Sequence, residues 1–218
     1  MSCFYCTQST EDRHEYIFTQ GLSVWQHEYQ YDDLLCFKCN EALAIIYPEI
    51  VQSYTNGTTF WNFRKIIEPI FIQKGIWDKT ESDGNIWTKQ RLQNIYDLNI
   101  RVATAQRNWR EIQENKKETP YLVYTAVMDG RTNEAHLAMD GICRHVDDPF
   151  WEVYYPPCGW DCRCHTMQVD AVTAREFGNK ILRKPHVFET VDVINPRTGK
   201  TESIPYGLDL GWSCEVNK

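Results

Sequence analysis

Cys3-x-x-Cys6 and Cys36-x-x-Cys39 are the clearest chemical signal in the spacing of the chain. Two residues between cysteines let both thiolates face one ion from a tight knuckle. Two such knuckles complete a tetrahedral shell of four sulfurs, which is closed and therefore structural. A metal of this kind stabilises a short segment with too little core of its own. The expectation is a zinc-ribbon-like module over residues 1–48, holding one zinc through Cys3, Cys6, Cys36 and Cys39. Free thiols or a redox CxxC are the competing readings. His14 and His27 share this stretch and read as surface histidines rather than ligands.

A second set of candidate ligands lies in the other half of the chain: His136, Cys162 and Cys164, with Asp129 and Cys158 nearby in sequence. On a strand, the period of two would put the side chains of Cys162 and Cys164 on one face, and His136 on a short helix could complete the set. Three readings stand side by side. One is a structural metal or thiol cluster, and another is buried Cys and His without metal. The third is a catalytic metal with an open position, where Asp129 or Glu134 would act as base. Cys143 and Cys214 have no spacing partner and read as buried thiols. No Gly-rich phosphate loop, HExxH helix or Gly-x-Ser-x-Gly elbow is present.

The elements that must position these residues follow from periodicity and punctuation. Between the CxxC pairs, IFTQGLSVW suggests short strands or a hairpin turning at Gly21. NEALAIIY reads as a short helix with Asn40 as N-cap, stopped by Pro48. The middle region is mostly helical. Its clearest helix spans residues 87–113, where Leu92, Ile95, Leu98, Val102, Ala105, Trp109 and Ile112 recur every three or four positions. SDGN at 82–85 turns before that helix and Pro120 ends the helical stretch. Beyond it, YLVYTAVMD reads as a buried strand, TNEAHLAMDG as a short helix closed by Gly141, and CRCHTMQVDA as another strand. VDVINPRTGKTESIPYG reads as a hairpin turning at 196–199. Asp129 is expected to bond backbone amides in a turn, and Arg131 to pair with Asp147 or Asp148. Phe150, Trp151, Tyr154 and Tyr155 are expected to form core around the cysteines.

Composition narrows the function classes. At 218 residues the chain can bury a real core, and its eight tryptophans and twelve tyrosines favour a folded protein. A net charge of −7 argues against broad phosphate neutralisation, and the basic residues of 101–117 alternate with glutamates as a solvated helix face would. No apolar run is long enough to cross a bilayer, and the start, MSCFYCTQST, lacks the pattern of a secretory signal. A reducing cytosol is therefore expected, in which cysteines serve as ligands or buried thiols before disulfides.

From Arg91 to about Val169 the sequence resembles the phage Mu protein F family of head morphogenesis proteins. The words that carry the resemblance are Asp-Gly-Arg-Thr at 129–132, His136, Gly141, Asp-Pro-Phe-Trp at 148–151, Pro156-Pro157 and Cys-Arg-Cys at 162–164. The helix RLQNIYDLNIRVATAQRNWREIQEN is similar to the family's approach helix, and GLDLGW at 207–212 echoes an Asp-x-Gly-Trp word. Cys158 stands where members commonly carry Asn. The resemblance implies a minor head (capsid) protein of a tailed phage or prophage, in the virion after synthesis in the bacterial cytoplasm. It also implies a place near the portal and a role in DNA packaging or ejection. Its partners would be the portal or major capsid protein and packaged DNA, with no membrane. The expected fold is α+β: residues 1–48 as the zinc-ribbon-like module, then 49–218 as a helical segment and a head domain. That domain would hold a small mixed or antiparallel sheet with short helices. A non-enzyme is expected. The alternative is a metal-dependent hydrolase or toxin-like effector.

Overall fold

A computed structural model of the chain describes residues 18–19, 22–23, 37–77, 89–159, 161–176, 181–195, 199–210 and 212. They divide into two compact units, Met1–Ala103 and Thr104–Lys218.

Among the described residues the first unit is helical apart from two short strands, β1 (Phe18–Thr19) and β2 (Leu22–Ser23), which pair antiparallel as the expected hairpin would. Helix α1 (Phe37–Asn56) and α2 (Phe60–Gln73) pack with the first half of α3 (Lys89–Asn115). The apolar stripe of each helix meets in one core: Ala42, Ile46 and Ile50 from α1, Phe63, Ile67 and Phe71 from α2, Leu92, Ile95 and Tyr96 from α3. Gly57 and Gly75, both at φ +64°, follow the ends of α1 and α2, where a left-handed residue turns the chain out of a helix.

Pro48 does not stop α1, contrary to expectation: the helix runs eight residues past it. A proline inside a helix removes one backbone hydrogen bond and crowds the preceding turn. Here Pro48 is exposed, while Ile46 before it and Ile50 after it are buried. Burial on both sides of the ring holds the helix together across the defect. Pro69 sits inside α2 in the same way.

The expected ligands Cys3, Cys6 and Cys36 lie outside the described residues, as do His14, His27, Cys214 and the turn at 82–85. Of Cys39 only the backbone is described, in the first turn of α1.

The second unit is built on an antiparallel sheet in the order β4 (Cys143–His145), β3 (Tyr121–Thr125), β5 (His165–Val169). Both faces of central β3 are covered. Leu122 and Tyr124 enter one core, and Val123 enters a smaller cluster with Cys143, Val169 and Ala174. That explains why YLVYT is apolar without alternation. Helices α4 (Glu134–Ala138), α5 (Phe150–Tyr154) and α6 (Ala171–Glu176) surround the sheet. The second half of α3 contributes Ala105 and Ile112 to the main core, with Trp109 against it. Gln168 on β5 donates to the carbonyls of Ile112 and Thr119, satisfying acceptors at the end of α3. The hairpin of β6 (Thr190–Ile194) and β7 (Thr201–Pro205) is where the sequence predicts it, with Gly199 at φ +66°. Among the described residues no helix is long and apolar enough to cross a membrane.

Candidate metal centre

The three expected donors are delivered by two local devices, a short helix and a loop. His136 sits on α4, whose N-terminus is capped by the Asn133 side chain accepting from the Ala135 amide at 2.8 Å. Gly141, at φ +76°, turns the chain after α4 so that its amide donates to the Tyr124 carbonyl on β3. Cys162 and Cys164 are not in a strand as expected. They occupy the irregular approach to β5, which begins at His165. The convergence does not depend on strand geometry. One ligand atom from each of His136, Cys162 and Cys164 lies within 4.8 Å of the others.

The aromatic residues behave as expected. Phe150, Trp151, Tyr154 and Tyr155 share a core with Cys158 and Cys162. Cys158 is wholly buried; its thiol donates to the Tyr154 carbonyl at 3.3 Å, and the Tyr124 hydroxyl approaches its sulfur at 4.0 Å. Cys143 is buried too, on the other face of the sheet, where burial pushes its thiol pKa up.

His136 is held from both sides. Its Nε2 lies 2.7 Å from the Gly207 carbonyl, and its Nδ1 lies 3.8 Å from Cys164 Sγ. A carbonyl oxygen only accepts, so Nε2 carries the proton and Nδ1 faces the thiols. Gly207 has φ +92°, and a Cβ there would come 2.9 Å from that of Ala135. Only glycine brings its carbonyl so close. The same segment closes further over the site: Trp212 donates its indole N–H to the Pro157 carbonyl at 2.9 Å, and the Asp209 carboxylate lies directly over Gly159. Residues 207–210 and Trp212, a faint echo in the sequence, thus wall the centre. Their distance along the chain from His136 hid that role.

Proton affinities in the cluster are strongly coupled. The Cys162 thiol is held far below its ordinary value by its polar neighbours, the side chains of Cys158 and Cys164 first, against the opposing effect of burial, and then by His136 and the Cys158 backbone. Cys164 moves up, through its hydrogen bond to Cys162 and then burial. Burial works to lower the pKa of His136. The hydrogen bond and charge of Cys162, the Gly207 carbonyl and Asp209 together raise it. Burial, followed by the neighbouring cysteine charges, raises Tyr124 well above a normal phenol.

Asp129 does not join the ligands. Its two oxygens are gripped by the Arg163 guanidinium, each at 2.7 Å, and one accepts the Arg131 amide at 3.0 Å in the expected turn. A carboxylate so engaged is not the poised base that a catalytic metal would need. Arg131 lies 3.8 Å from Asp129 rather than pairing with Asp147 or Asp148. Those carboxylates are taken by Lys116 and Arg144, both at 2.9 Å. The Asp129–Arg163 pair spans 34 residues, and spacing gave no sign of it.

The donor set of two sulfurs and one imidazole is the kind zinc accepts, and sulfurs on a tetrahedral zinc with bonds of about 2.3 Å stand about 3.8 Å apart. Here the three donor atoms all lie within 4.8 Å of one another, with Cys164 Sγ 3.8 Å from His136 Nδ1.

Comparison with known proteins gives the cluster its setting. The pattern of the family described as Phage Mu protein F like protein matches residues 44–167, which include His136, Cys162 and Cys164. A protein named for capsid assembly, protein F of Escherichia phage Mu, is 30% identical over 149 residues, covering 65% of this chain and 34% of that protein. The Mu-like prophage FluMu F protein of Haemophilus influenzae is 34% identical over 193 residues, covering 81% of this chain and 47% of the relative. The chain therefore spans less than half the length of either relative. No solved structure matches it. The family pattern covers more than half of the 218 residues, and with these two relatives it shows that the chain belongs to the phage Mu protein F like family.

Proposed function

We propose that the chain is a non-enzymatic component of a tailed-phage or prophage head, acting in head morphogenesis by binding other head subunits. The observation that carries this reading is family membership, together with the capsid assembly name of the Mu relative. The site adds support. Its donors face a largely buried interior, Cys162 at 6% and His136 at 5% exposure, and Asp129 is spent on Arg163. That arrangement suits closure rather than turnover. Exposed apolar side chains on α2, Trp61 at 60% and Ile72 at 45%, suit a protein that packs against neighbours.

In the finer form of the proposal, the protein is carried in the virion near the portal after synthesis in the host cytoplasm. It contacts the portal or major capsid protein and takes part in packaging or ejecting DNA. Cys3, Cys6, Cys36 and Cys39 hold a structural zinc within the first unit, whose core already includes Ala42, Ile46 and Ile50 on either side of residue 48. The test is mass spectrometry of purified heads, with crosslinking to find the neighbours. The expected result is this chain in a few copies per particle, crosslinked to portal or capsid subunits. Its absence from both proheads and virions overturns the proposal, and so does a hydrolase activity lost on His136→Ala in a folded, head-incorporated protein.

A further inference from the structure

We propose that His136 Nδ1, Cys162 Sγ and Cys164 Sγ bind one zinc ion, with Cys158 as fourth ligand, and that this ion fastens the 207–210 segment against α4. The inference is independent of the role in heads, since it rests on the second unit alone.

Four observations carry it. The three donor atoms converge within 4.8 Å although they come from a helix and a loop 26 or more residues apart. The imidazole is oriented by a carbonyl on its far nitrogen, which leaves the near one to offer its lone pair. Metal-bound histidines are commonly fixed by such a partner, which sets the tautomer and strengthens the ligand. Cys162 is buried and Cys164 partly so, and Cys158, wholly buried in the same core with its thiol on the Tyr154 carbonyl, turns from that carbonyl to the ion on binding. Finally, the Trp212 indole and the Gly207 carbonyl bring a distant stretch of chain against the cluster. A closed shell of three cysteines and one histidine is a structural zinc arrangement. On binding, the ion displaces the thiol protons, which leave to solvent, and no electron is transferred.

The test uses the full chain with Cys3, Cys6, Cys36 and Cys39 all replaced by Ser, so that the first unit contributes no thiolate ligand. Purified in zinc-containing buffer, this protein should retain one zinc per chain after gel filtration. Cobalt(II) in its place should give thiolate charge-transfer and tetrahedral ligand-field bands. His136→Cys keeps a ligand and should keep the metal, with stronger charge transfer, whereas His136→Ala should bind at least about tenfold more weakly. X-ray absorption should show three sulfurs and one nitrogen; two sulfurs would remove Cys158 from the shell. Chelation should speed amide exchange across residues 207–210. A protein that is folded by circular dichroism yet retains no zinc and gives no cobalt bands overturns the proposal, whatever the single variants do.

Discussion

Asp129 carries its charge against the fork of Arg163, and that contact holds its carboxyl well below the usual carboxylate range. A group whose proton affinity drops on folding adds stability above its unfolded pKa and loses it as pH falls through the folded value. Asp129→Asn should therefore be less stable than the parent at pH 7. The gap should begin to close below about pH 4, the unfolded carboxylate value, and shrink further in stronger acid. Urea melts across that range check it, and a gap that stays constant into strong acid contradicts it. Residue types and family-like spacing were enough to single out His136, Cys162 and Cys164. The residues that orient them were harder to find. Gly207 acts through a backbone carbonyl, which has no residue signature, and Arg163 reads as filler between two cysteines until its partner is seen 34 positions away.

At the scale of elements, periodicity located α3 to within two residues at either end: expected at 87–113, it runs Lys89–Asn115. Its stripe feeds the core of the first unit through Leu92 and Ile95 and that of the second through Ala105 and Ile112. Punctuation was a poorer guide. Pro48 looked like a stop because local rules count only the lost hydrogen bond, whereas Ile46 and Ile50 are fixed by partners such as Phe63 and Ile67 that a local window never sees. It follows that Pro48→Ala, at an exposed site in a continuous helix, should stabilise the first unit by about 1–2 kcal/mol. Ile46→Ala should destabilise it by about 2–4 kcal/mol through the cavity it leaves. Denaturant melts of the two variants decide the point; a destabilising Pro48→Ala would mean that the ring itself is needed there. The Cys-x-Cys pair was similarly misassigned to a strand, because β5 begins only at His165, after the two cysteines have reached the cluster.

Across the whole molecule, each compact unit has its own apolar core, one around Ile67 and the other around Phe150. Substitutions in separate cores with no shared partners act independently. Ile67→Ala should lower the protection of residues 42–96 and leave 121–169 nearly unchanged, while Phe150→Ala, costing about 3–5 kcal/mol, should do the reverse. Segment-resolved hydrogen exchange in urea reads both, and a single concerted opening that responds equally to either variant contradicts it. The grip on His136 also has a consequence in time. Its carbonyl partner lies 71 residues downstream. A ribosome adding roughly 5–20 residues per second makes that partner about 4–14 s after the histidine. During that interval the imidazole lacks the carbonyl that fixes its tautomer, although Cys164 emerges earlier. The setting of His136 is therefore complete only once Gly207 has emerged, and fragments released before Gly207 should be the ones a cell's proteases clear first.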